Sequence, residues 1–235
     1  MTMKNIIISL LLILTSCAKS QNQKNPEHIC KTCGSYDLSQ ITFNENVESL
    51  VSKTKVSKTV FANDNCQEKS TEELLGNDKI CAFKYYLYNQ PGDVLGKGLF
   101  TFSNQFKFDE LNFLLDPNKK ILSYNATANF DGDAKAYDKF VGFLTDQLKV
   151  QPKARRLFTD ESFIYQWETD SFTYQLSRSA EKSKRETIVN GKSKTEDFYY
   201  TSFTVIDKKK LNDKTRSVID RSENFVIYGD RYFKK

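Results

Sequence analysis

The sequence predicts an α+β fold, built mainly from antiparallel sheet meanders with two helices packed on one face. Three observations carry that expectation. Leu111–Leu115 and Ile121–Phe130 are apolar, β-rich segments joined by Asp116-Pro117-Asn118-Lys119-Lys120, a turn-forming run. Residues 134–149 repeat apolar side chains at helical spacing. The composition, with 18 Phe and 12 Tyr against 9 Gly and 4 Pro, supports a packed aromatic core and excludes a disordered chain.

Taken in order, Ile41 and Phe43 alternate ahead of a short helix capped by Asn44 or Asn46, with Val47, Leu50 and Val51 on one face. Ser57–Ala62 reads as a strand, and a helical turn is expected at Thr71–Leu75. Ile80–Tyr88 is rich in β-branched and aromatic residues and ends at Asn89-Gln90-Pro91-Gly92-Asp93, so it reads as a strand with a firm stop. Short strands follow at Leu99–Phe102 and Phe106–Phe108. Across the next turn, Leu122, Tyr124, Ala126, Ala128 and Phe130 fall on one face of the return strand, which marks the core side.

Asp133 is placed to cap the helix over 134–149, whose stripe is Tyr137, Phe140, Val141, Leu144 and Leu148. Asp131 and Asp133 lack the later ligands of a calcium loop, so capping is the better account of them. Phe163, Tyr165 and Trp167 alternate, Glu168–Ser171 turns, and Phe172, Tyr174 and Leu176 alternate again. Residues 178–196 are heavily charged yet contain Asn190-Gly191, a strong hairpin signal, and read as an exposed β-arm returning into Phe198–Ile206. The rival reading of that segment is a disordered loop. A last short strand is expected at Phe225–Tyr228. The order helix, strands, helix, strands suggests two α-then-β halves, about 36–110 and 111–235.

The N-terminus is informative in a different way. Lys4 precedes an apolar run, Ile6–Leu14, too short for the roughly 20 residues of a bilayer span and matching the charged and apolar regions of an export signal. The run ends in Leu14-Thr15-Ser16-Cys17, which resembles the lipobox of bacterial lipoproteins. That resemblance covers residues 1–17 alone. It implies a cleaved signal peptide at 1–16 and Cys17 as the lipidated N-terminus, carrying a diacylglyceryl thioether and an acyl chain such as palmitate. Two or more chains anchor stably where one anchors marginally. It further implies residues 17–35 as a tether, a single globular region over 36–235, and attachment in the cell envelope, the outer membrane being favoured over the inner. The rival is an ordinary secreted protein cut near Ser16.

Four cysteines remain: Cys30, Cys33, Cys66 and Cys81. In an exported chain an even number reads as disulfides. Cys66 and Cys81 flank a polar loop, and bridging them is worth about 3 kcal/mol by loop entropy, leaving Cys30 with Cys33. The rivals are a redox dithiol at Cys30-Lys31-Thr32-Cys33, which lacks the strand-to-helix setting that activates such a thiol, and a metal site with His28, which supplies three clustered ligands where structural zinc takes four.

His28 is the one histidine, so histidine-based triads have a single candidate base, and no catalytic residue, metal or cofactor is assigned. The formal charge of +5 is concentrated at the C-terminus, with nine basic against five acidic residues over 207–235, but without the continuous basic stripe of a nucleic-acid surface. Lys208-Lys209-Lys210 reads as part of a solvated tail. The expected function is a non-enzymatic binding or assembly module for a protein partner, including an immunity or inhibitor role. The alternative is an acid-dependent envelope hydrolase or a thiol oxidoreductase using Cys30 and Cys33.

Overall fold

The 111–130 hairpin forms the middle of a large antiparallel sheet in a computed structural model that describes residues 28–29, 35–52, 57–60, 81–86, 100–115, 120–131, 135–156 and 162–211. Twelve strands and two α-helices are described, an α+β arrangement that is mostly antiparallel. Helix α1 is Val47–Val51 and α2 is Lys135–Leu148. A small sheet joins β1 (Tyr36–Asp37), β4 (Phe100–Phe102) and β5 (Phe106–Phe108), with β1 parallel to β4.

The large sheet contains β2 (Ser57–Val60), β3 (Cys81–Tyr86), β6 (Glu110–Leu115), β7 (Ile121–Asp131), β8 (Lys153–Arg156), β9 (Phe163–Glu168), β10 (Phe172–Arg178), β11 (Ser183–Val189) and β12 (Lys192–Asp207). Its order is β2-β3-β6-β7-β12-β10-β9-β8, with β11 also on β12. The centre is therefore the long-range pairing of β7 with β12, Phe203 opposite Ala126 and Val205 opposite Tyr124.

One face holds the apolar core. Tyr124, Ala126 and Ala128 from β7, Phe203 and Val205 from β12, Leu176 from β10 and Trp167 from β9 join Val47, Leu50, Tyr137, Phe140 and Leu144 of the two helices in a single cluster. Phe140 lies at its middle, stacked on Phe106 at 4.0 Å and within 5.9 Å of the Phe102, Phe108 and Phe203 rings. Leu122 is buried but stands outside this cluster, because the register shifts at Leu114/Leu115: Leu114 pairs with Ser123 and Leu115 with Ile121. That is a β-bulge, which inserts an extra residue into one strand.

The opposite face is polar and also buried. A single cross-strand row runs Asn112, Asn125, Thr204, Gln175, Gln166 over β6, β7, β12, β10 and β9, each residue at most 4 % exposed. The amides bond laterally: Asn112 Nδ2 donates to Asn125 Oδ1 at 3.2 Å, Asn125 Nδ2 to Thr204 Oγ1 at 2.8 Å, and Gln175 Nε2 to Gln166 Oε1 at 2.8 Å. Buried polar groups persist only when so satisfied.

Several expectations are resolved locally. Asn46, of the two candidate caps, accepts from Ser49 N at 3.2 Å and starts α1. The core reaches back to Ile29, fully buried, whose amide donates to Leu50 O at 2.8 Å. The lysine triplet is not a solvated tail. It forms a 3-10 turn in which Lys208 Nζ donates to Thr169 O at 2.8 Å and pairs with Glu168 at 3.2 Å, while Lys210 Nζ donates to Phe43 O. Phe43 holds a φ of 67°, unusual for a bulky residue, with its ring against Tyr124 and Phe172. The expected turn at Thr71–Leu75, the Asp133 cap and the strand at Phe225–Tyr228 lie outside the described residues.

Candidate docking arm and its base

Residues 183–198 form the β-arm expected from Asn190-Gly191. Seven pairs hold β11 against β12, from Ser183 with Phe198 to Val189 with Lys192. Asn190 at φ 52° and Gly191 at φ 74° close the turn with two positive φ values, the type I′ geometry whose twist matches a two-residue hairpin. Lys184 stands opposite Asp197 and Arg185 opposite Glu196, so the charges that argued for disorder sit at complementary positions.

The last β7 residue in register is Asp131, opposite Phe198. Beyond it, residues 192–197 pair with β11 alone among the described residues, and β11 pairs with β12 alone. At about 3.3 Å per residue, seven pairs project roughly 23 Å. Ile188, near the tip, is 79 % exposed, and Tyr200, at the root, is 45 % exposed.

The arm departs from the sheet at a wide irregularity. Arg178 pairs with Thr201 and Ser183 with Phe198, so Ser179–Lys182 oppose only Tyr199 and Tyr200. Ser179 organises the step: its amide donates to Tyr200 O at 2.9 Å, its hydroxyl donates to Glu181 O at 2.9 Å, and its oxygen accepts from Tyr200 N at 3.2 Å.

At the base, one register row on the core face reads Arg156, Phe163, Arg178, Thr201, Ala128. The Arg178 guanidinium carbon lies 4.4 Å from the Tyr199 ring centroid, 4.9 Å from Phe163 and 5.2 Å from Tyr137. Arg156 is 4.7 Å from the Phe163 centroid, and Lys182 Nζ is 5.9 Å from that of Tyr199. Cations over ring faces are attracted by the ring quadrupole. Tyr137, from the first turn of α2, donates to Leu176 O at 2.9 Å. Burial pushes its hydroxyl well above its ordinary pKa, the neighbouring Tyr165 adds to that, and the Arg178 charge opposes it.

Cys81 opens β3, where its backbone pairs with Leu115. Cys17, Cys30, Cys33 and Cys66 lie outside the described residues, as do the bridge expectations resting on them. His28 is half-buried beside Ile29. Among the described residues, no group of three His, Cys, Asp or Glu side chains could hold a metal, and no helix is long and apolar enough to cross a membrane. Sequence reasoning marked the arm by its turn but missed Arg178 and Thr201. Their opposition depends on a register between strands more than twenty residues apart.

Compared with known proteins, the chain matches no family model, no curated protein and no solved structure.

Proposed function

We propose that this chain is a lipid-anchored protein of the bacterial cell envelope that acts as a non-enzymatic binding or assembly module, with the 183–198 arm as the element that meets a protein partner. The observation that carries the reading is the arm itself: a two-stranded ribbon with its edges open among the described residues and a large apolar side chain, Ile188, 79 % exposed near its tip. Exposed strand edges are hazards that proteins ordinarily blunt, and the same edges are ready templates for strand addition by a partner. The mixed charges on the arm discourage indiscriminate pairing and favour a complementary partner.

The two helix-then-meander halves meet at β7 and β12, giving the arm a rigid support. The anchor at Cys17, read from Leu14-Thr15-Ser16-Cys17, would hold that support at a membrane surface, the outer membrane being favoured. An immunity or inhibitor role suits such a module, since neutralising an exported toxin or enzyme needs a docking surface and no chemistry. Capture from solubilised membranes tests this: wild-type chain should retain a defined protein that Ile188→Asp loses, with both chains equally folded. Equal recovery by both would remove the arm from the function.

A further inference from the structure

We propose that Arg178 and Thr201, at the base of the arm, form a receptor for a carboxylate, supplied by an acidic side chain in an extended peptide. The inference rests on the docking reading for the identity of the carrier, though the carboxylate site is tested without it.

Two unusual polar atoms define the site. Arg178 Nε is buried without a hydrogen-bond partner, and so is Thr201 Oγ1, on a residue 0 % exposed. They belong to directly opposed residues of β10 and β12 on the same face of the sheet. Such orphaned groups are rare in folded chains, because leaving water unpaired costs free energy. An oxyanion between them would accept from both the guanidinium and the hydroxyl. No carboxylate among the described residues lies within ion-pair distance of Arg178.

The surroundings select the ligand. Three ring centroids within 5.2 Å of the guanidinium carbon occupy space around the fork. A flat carboxylate, matched to the planar guanidinium, therefore fits better than a tetrahedral phosphate. Arg156, Arg178 and Lys182 outnumber the exposed Asp138 and Glu181 at this corner. The N-terminal turn of the 14-residue α2, held here through Tyr137, adds its positive dipole end. The site adjoins the arm edges, where an extended peptide can pair its backbone while one acidic side chain reaches Arg178.

The test is a titration of the full-length 15N-labelled chain with sodium acetate at constant ionic strength, following the Arg178 Nε–Hε signal assigned by its loss in Arg178→Lys. A saturable shift is expected, with phosphate binding more weakly. Thr201→Val should weaken acetate severalfold and Arg178→Lys about tenfold or more, without change in the remaining amide spectrum. In a second arm, a short blocked peptide containing one Glu should bind at least about tenfold tighter than its Gln counterpart and shift the 192–197 amides. Absence of a saturable acetate shift, tighter phosphate than acetate, or unaltered acetate binding in Thr201→Val would overturn the carboxylate site. Equal binding of the Glu and Gln peptides, with acetate still bound, would overturn the peptide carrier. Neither failure depends on whether Ile188 contacts a partner.

Discussion

Truncating Phe140 to alanine should destabilise the chain severely, because this ring joins α2 to both sheets. It is fully buried and touches four other rings, the nearest being Phe106, stacked at 4.0 Å. Removing it exposes no new partner and leaves a ring-sized void. At about 25 cal/mol per Å2, the lost burial amounts to about 3 kcal/mol, and the unfilled cavity brings the total to about 4 kcal/mol, within the range for Phe→Ala. In urea, with a slope of about 2.5 kcal/mol/M, the midpoint should fall by about 1.6 M. Trp167, the one tryptophan and fully buried, reports the transition through its fluorescence. A second substitution, Phe106→Ala, closes a double-mutant cycle that should show about 1 kcal/mol of coupling for the stacked pair. A loss below about 1 kcal/mol for Phe140→Ala, or additive effects in the cycle, would refute the packing described.

Raising the pH should weaken the fold. Burial holds the Tyr124 and Tyr137 hydroxyls above their ordinary pKa, with nearby Tyr174 and Tyr165, respectively, adding to it. Above about pH 10 the unfolded chain ionises these tyrosines while the folded chain keeps its protons, so their contribution is full below that pH and declines above it. The decline approaches about 1.4 kcal/mol per pH unit for each tyrosine, and urea midpoints that stay level from pH 8 to 11 would contradict it. Gly191→Ala should fray the arm without melting the core. A Cβ there meets nothing within 4 Å, so the cost is the left-handed φ of 74°, about 1 kcal/mol. Amide exchange should accelerate over 183–198 while the global midpoint holds; a fall in both would show the arm to be integral to the core. Cys17→Ala should release the chain from membranes or leave it unprocessed, and continued lipid labelling with membrane retention would remove the anchor.

The sequence made local periodicity legible and left lateral registers hidden. The stripe through Tyr137, Phe140 and Leu144 predicted α2 because a helix face is set by spacing within one segment. The Asn190-Gly191 turn predicted the arm for the same reason, despite its charge. Alternation in β7 correctly marked Tyr124, Ala126 and Ala128 as core. It gave no sign that Ser123, Asn125 and Thr127 on the other face are also buried, at 4 % exposure or less. Asn125 is comfortable there because Asn112 and Thr204 bond to it, and those partners come from other strands. Strand β8, Lys-Ala-Arg-Arg, escaped notice because an exposed, charged edge strand has no apolar period to read. Lys208 and Lys210 looked like solvated charge, yet they reach carbonyls on distant segments. Arg178 and Thr201 are the same case at the arm's base: each is unremarkable in its own strand, and only their opposition gives them meaning.

The central claim, that a protein partner meets the arm, is tested most directly by placing a photo-crosslinking residue at position 188 in the full chain in living cells, with the exposed Lys149 as the control position. The account predicts a discrete covalent adduct with one protein from position 188 and none from 149. No adduct at 188, or the same pattern from both positions, would contradict it.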